Sequence, residues 1–329
     1  MDVLLRNGKE LRTLTRFTII LAITFIWCSS FQNTALAHGG EPDSHRTIWE
    51  AWNWDPLLWI GIVLPGWLYL AGVRSLWKKS GSERVISRWH AAAFGAGWIA
   101  LVAALISPLE ALSGMLLSAH MVQHLLLMIV AAPFLLLGAP QMVLPWAFPL
   151  SWRIQTARCW NKQAGLRASW KFIANPFVVW WLHALAVWVW HLPGPYQAAV
   201  DNNMIHAIEH ASFFISALLF WWVVIAGEKH GQMNYGLGTL YIFITALSSG
   251  VLGALITFAA EPWYPVYIDR TLQWGLTALE DQQLAGLIMW IPANFVYLVA
   301  VIVLLVEWFK QMDAKSAKEH STPVPRRHM

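Results

Sequence analysis

Residues 115–138 read MLLSAHMVQHLLLMIVAAPFLLLG. The stretch holds no Asp, Glu, Lys or Arg, and it exceeds the roughly 20 apolar residues that carry a helix across a bilayer core. In lipid a single segment must satisfy its own backbone, so this one is expected as a transmembrane helix. His120 and His124 interrupt its first half. Their i, i+4 spacing places both imidazoles on one helix face.

Six more apolar segments lie on either side, at about 57–77, 90–109, 174–192, 205–226, 238–260 and 284–309. Together they predict an all-α, polytopic membrane protein: a seven-transmembrane-helix bundle over residues 57–309. Composition agrees. Hydrophobic residues make up 57% of the chain and charged residues 12%, against about 25% charged in soluble domains. The 23 tryptophans fit a protein with two membrane–water interfaces. The net charge of +4 resides between the spans and on the tail, which points to topology and the lipid bilayer and not to nucleic acid. Cys28 and Cys159 are the only cysteines, and Cys28 falls in the N-terminal leader. That rules out a disulfide framework or a thiolate metal site on the outer side.

Residues 1–37 read as a signal peptide. Arg6, Lys9, Arg12 and Arg16 form a basic start, Phe17 to Trp27 an apolar run, and Ala35-Leu36-Ala37 a small-x-small cleavage site. An uncleaved signal anchor is the alternative. Residues 38–56 would then be an extracytoplasmic leader. Cleavage would expose His38, whose amine and imidazole, with His45 nearby, could chelate Cu(II); an ordinary polar leader is the competing reading.

Basic residues alternate between loops. Lys78, Lys79, Arg84 and Arg88 follow the first span, and Arg153, Arg158, Lys162, Arg167 and Lys171 follow the third. Lys310, Lys315, Lys318, Arg326 and Arg327 follow the seventh. The intervening loops are poor in them. The positive-inside rule therefore predicts an inner (plasma) membrane protein with its mature N-terminus extracytoplasmic and residues 310–329 as a cytoplasmic basic tail, disordered from 311 onward. Small residues at i, i+4 (Ser249, Gly253 and Thr257; Ala93 and Gly97; Ala96 and Ala100) predict close helix packing and no chemistry.

This topology sends the histidines to one side. His120 and His124 lie in the outer half of the third span. The fifth begins His206-Ala-Ile-Glu209-His210, with His206, Glu209 and His210 on one face. His191 closes the fourth span. Glu280 and Asp281 open the seventh, with Met289 about two turns deeper. Intramembrane ionisable groups are costly and mark functional sites. Imidazole suits copper, zinc, iron and nickel, and thioether suits Cu(I). Structural histidines are the simpler reading of any one of these residues, but paired histidines on facing helices make a metal cage, or axial haem ligands, the reading to test. His183 stands alone and deeper, as a packing residue; His90 and His230 read as interfacial on the cytoplasmic side. His206 to His210 also spells the H-x-x-E-H of inverted zinc peptidases, without the soluble domain that motif requires.

Several motifs resemble the membrane-integral cytochrome c oxidase assembly factor family, CtaG. They are Ser107-Pro-Leu-Glu-Ala-Leu, Ser118-Ala-His-Met-Val-Gln-His-Leu-Leu-Leu-Met, Gly138-Ala-Pro, Trp190-His-Leu-Pro and His206-Ala-Ile-Glu-His. Leu255-Ile-Thr-Phe-Ala with Pro262 and Tyr264, and Glu280-Asp-Gln-Gln-Leu-Ala-Gly-Leu-Ile-Met-Trp, complete the set. They occur in order from about residue 55 to 309. The resemblance implies an assembly factor, not an enzyme, whose partners are cytochrome c oxidase subunits and whose role is to help copper reach the oxidase. The family's histidines map onto His120, His124, His191, His206 and His210, and its acidic motif onto Asp281. With Glu209 and Met289 these are the expected metal-site residues. A membrane metalloenzyme or haem-binding redox protein using the same cluster, and a metal-free scaffold, remain the alternatives.

Overall fold

The computed structural model describes residues 48–80, 85–226 and 233–321. The signal-peptide, His38, His45 and His230 readings lie outside them, as does the end of the tail. Among the described residues there is no strand.

The helices are α1 Pro56–Ser80, α2 Arg88–Leu105, α3 Leu109–Ser113, α4 Leu117–Leu125, α5 Ala132–Leu137, α6 Pro140–Val143 and α7 Leu150–Lys162. They continue with α8 Ala164–Ile173, α9 Pro176–Trp190, α10 Pro193–Asp201, α11 Asn203–Ala226, α12 Tyr235–Thr257 and α13 Ala278–Ser321. Five stretches are long and apolar enough to cross a membrane: 56–79, 117–147, 203–226, 235–257 and 278–316. A sixth arises if α8 and α9 count as one span broken by a 62° bend. The chain is thus an all-helical, multi-pass membrane protein.

Two expected spans look different from their sequence reading. The fourth is only the 15-residue α9, roughly 22 Å long at 1.5 Å per residue. It starts where Pro176 must start a helix, and the Asn175 side chain accepts from the Phe177 N–H at 2.9 Å. The second is the 18-residue α2, whose first turn holds Arg88 and His90, the latter with Nδ1 2.7 Å from Ser87 Oγ. The end of the seventh also differs: α13 runs through to Ser321, so residues 311–321, expected to be disordered, are helical.

The third span is not a continuous α-helix. Residues Leu126–Ala131, between α4 and α5, form a π-helical segment. Its cause lies two residues further on. The Ala132 N–H bonds to Leu127 O in i→i−5 register. Pro133 comes next and has no N–H for Met128 O. Trp221 of α11 supplies the missing donor, its indole Nε1 reaching Met128 O at 2.9 Å.

Close approaches follow the small-residue stripes. In α12, Gly253 faces Gly286 and Trp290 of α13, and Thr257 bonds back to Gly253 O at 2.8 Å. In α2, Gly97 lies against the backbone of Ala131 and Leu135. At one end of the molecule α1 packs against residues 144–147, and Lys79 and Arg153 both lie over the Trp146 ring, 5.6 and 4.3 Å from its centroid. Lys79, after the first span, and Arg153, after the third, therefore share one end.

A methyl group added at Gly286 would sit 2.4 Å from Thr257 Oγ1 and 2.7 Å from Thr257 N. Gly286→Ala is expected to cost about 1–3 kcal/mol by overpacking, read as a lower melting temperature in detergent. An unchanged melting temperature would show that the α12–α13 contact is looser than this.

Candidate metal centre

The other end of the molecule is built from helix beginnings. The first turn of α13 is closed by a reciprocal capping box: the Thr277 N–H donates to Glu280 Oε2 at 2.8 Å, and the Glu280 N–H to Thr277 Oγ1 at 3.2 Å. This leaves Asp281, fully buried, facing the start of α4. The residue at the N-cap of α4 is Leu116, whose side chain cannot accept a bond. Asp281 does so instead. Its carboxylate accepts from the N–H of Leu117 at 2.6 Å, from the N–H of Ser118 at 3.2 Å and from the Ser118 hydroxyl.

One turn deeper, α4 and α11 face each other. His120, His124, Glu209 and His210 are all buried, and one donor atom from each lies within 4.8 Å of the others. His120 Nε2 is 3.6 Å from Glu209 Oε2, and His124 Nε2 is 3.7 Å from Glu209 Oε1. These are too long for hydrogen bonds. Both Glu209 oxygens, His120 Nε2 and both ring nitrogens of His124 lack a hydrogen-bond partner. A buried carboxylate left this way is expensive, and a cation among the donors removes the cost. An ion about 2.0–2.1 Å from four donors would set them about 3.4 Å apart; the two His–Glu209 separations, 3.6 and 3.7 Å, are near that, and the group as a whole lies within 4.8 Å. Imidazole with carboxylate is a donor set for copper, zinc or iron.

His206 lies on the outer side of this group. Its ring centroid is 4.1 Å from that of His210 and 5.3 Å from that of His120, and its Nδ1 is 3.6 Å from Glu110 Oε1. Glu110 also takes a bond from Gln123, whose amide reaches Ala104 O at 2.7 Å. Burial pushes the Glu110 carboxyl up to about 7, against the pull of the Gln123 bond. His191 lies beyond His124, with ring centroids 6.0 Å apart. It points Nε2 at Met121 Sδ, 3.4 Å away.

Above the cluster is a layer of tyrosines. Tyr267 donates to Ser113 O at 3.0 Å and accepts from Tyr196 at 2.8 Å, and Tyr264 donates to His191 O at 2.7 Å. The Tyr196 ring is 5.1 Å from that of His120. Burial lifts the Tyr264 and Tyr267 hydroxyls far above their usual range, so they remain donors.

The five expected histidines and Glu209 therefore come together. Asp281 does not join them, because its oxygens are committed to the start of α4. Met289 lines a neighbouring cavity with His124, His191 and Met121. His183, expected to pack, stacks on Phe220 and contacts Ser216 Oγ at 3.2 Å. Sequence reasoning placed Glu110 at the outer end of the second span without assigning it to the metal set, and left out Met121 and Tyr196. Glu110 had a signal, since it lies at the end of its expected span inside a quoted motif. Met121 and Tyr196 had none, because their roles depend on which helices touch.

A family model described as cytochrome c oxidase caa3 assembly factor (Caa3_CtaG) matches residues 67–311. No curated protein and no solved structure matches the chain.

Glu209→Gln removes a buried charge that no hydrogen bond stabilises. In metal-free protein the variant is expected to melt at or above the wild-type temperature, and to lose the stabilisation that zinc or copper gives the wild type. Asp281→Asn weakens the cap of α4 and is expected to cost about 1–3 kcal/mol with or without metal. The reverse pattern in thermal melts would exchange the roles given to the two carboxylates.

Proposed function

The chain belongs to the cytochrome c oxidase caa3 assembly factor family, and from that membership we propose that it holds copper as cargo and passes it to the oxidase, without catalysis of its own. The observation that carries the proposal is the group of four at the junction of α4 and α11, where a buried carboxylate and two histidines have no other partner. A metal-free scaffold would have no reason to bury Glu209 in that state.

His120, His124, Glu209 and His210 would hold the ion. His206 and Glu110 would receive it, since the Glu110 side chain is 13% exposed and lies nearest the surface of the cluster's residues. Asp281 would act through position, fixing the depth of α4 and with it His120 and His124. His191 and Met289 would belong to the onward side. Their partners would be oxidase subunits embedded in the same bilayer.

The same reading places the protein in the plasma membrane with seven spans, α2 and the bent α8–α9 pair included. The end carrying Lys79 and Arg153 would face the cytoplasm, and the histidine end the outside, as positive-inside charge requires. A signal peptide over 1–37 fits that orientation. Copper would then enter and leave on the extracytoplasmic side.

Purified protein loaded with copper and desalted is expected to retain it, and a His120→Ala/His210→Ala double variant to lose most of it by elemental analysis. Cells carrying the double variant should make oxidase depleted in copper. Wild-type protein that retains no copper, zinc or iron, together with normal oxidase copper in the variant, would leave the metal-free scaffold standing.

A further inference from the structure

We propose a second metal position, separate from the histidine–glutamate group: a site for a soft monovalent cation formed by His191 Nε2 and Met121 Sδ at a methionine-lined cavity.

The argument starts from the tautomer of His191. Its Nδ1 lies 2.6 Å from Val187 O. A carbonyl oxygen only accepts, so Nδ1 carries the proton. In the neutral ring Nε2 is then a bare lone pair. That lone pair is aimed at the thioether of Met121, 3.4 Å away, and a thioether has no hydrogen to give. Both residues are buried, at 3% and 2% exposure. Ordinary packing would set a methionine against the ring's face or a C–H edge. Here an imidazole acceptor and a sulfur acceptor face each other with no hydrogen to share, an arrangement that a cation bound by both would satisfy.

The surroundings have the same chemistry. A cavity of about 60 Å³ is lined by Met121, Met128, Met289, His124, His183 and His191. That is several times the space one water needs. Three thioethers and neutral imidazoles, with no carboxylate on its walls, form a donor set that selects Cu(I) or Ag(I) over divalent ions. The histidine–glutamate group has the opposite bias, because a carboxylate favours harder, divalent ions. His124 belongs to both: it lines the cavity, it is one of the group of four, and neither of its ring nitrogens has a hydrogen-bond partner. A neutral imidazole has a single lone pair, so His124 can serve only one of the two positions at a time, and it lies between them. That copper is the natural ion here rests on the assembly reading above; the donor set stands without it.

The test uses full-length protein in detergent. Ag⁺, which matches Cu(I) in charge and softness and is not redox-active, and Zn²⁺ are titrated separately and counted by elemental analysis. Met121→Leu conserves volume and is tolerated by packed cores. It is expected to weaken Ag⁺ binding at least tenfold and leave Zn²⁺ binding unchanged. Glu209→Gln is expected to do the reverse. Loss of both ions in Glu209→Gln, or unchanged Ag⁺ binding in Met121→Leu, would overturn the second position. Wild-type protein that takes Ag⁺ through Met121 but takes no Zn²⁺ would sink the cargo role of the histidine–glutamate group and leave this site intact. Selenomethionine protein loaded with Cu(I) decides the case independently of variants: selenium scattering at the copper absorption edge supports a thioether ligand, and its absence overturns it.

Discussion

Helix α4 begins with nothing of its own to hold it. Its N-cap is a leucine, and in an apolar setting its first N–H groups would be left open. Asp281 supplies the acceptor from more than 160 residues further along the chain. That one carboxylate binds the start of α13 to the start of α4 and fixes the depth at which His120 and His124 meet α11. The loop between α12 and α13 reinforces it. Tyr267 bonds to Ser113, Arg270 to Gly114 and Tyr264 to His191, so the segments around α3, α4 and α9 are gathered under one cover.

This thorough pairing gives the open groups beneath it their meaning. Within a few ångströms the chain satisfies peptide N–H groups, carbonyls, tyrosines and a buried aspartate. It leaves Glu209, His120 and His124 with buried atoms that have no hydrogen-bond partner, along with Gln123 Oε1 and Thr271 Oγ1 nearby. A polypeptide able to pair Asp281 three times over had the means to pair Glu209. The proposed metal role draws on that contrast more than on any single distance.

Much of this was legible in the sequence because lipid imposes simple rules. Apolar length gave the helices, and i, i+4 spacing placed His120 with His124 and His206 with His210. What the sequence does not reveal is which faces of which helices meet. Met121 follows His120 directly, so on a helix it points about 100° away, toward α9 and His191, and no periodicity announces that. Asp281 stands among acids and amides at a helix start, where a ligand and a cap look alike. The bend at Asn175 and the continuation of α13 past its apolar run were missed for a shared reason. Hydropathy reports where a chain is comfortable in lipid, and helices begin and end by capping and proline chemistry.

The π-helical segment at 126–131 is, in arithmetic terms, a helix with one residue too many. An extra residue shifts the phase of everything downstream by about 100°. Upstream, the phase of α4 is set by the need to aim His120 and His124 at Glu209. Downstream, α5 brings its backbone at Leu135 against α2, where Gly97 leaves room for it. The surplus residue uncouples these demands, acting as a gearbox between a half-helix that carries the buried histidines and a half-helix aligned for packing.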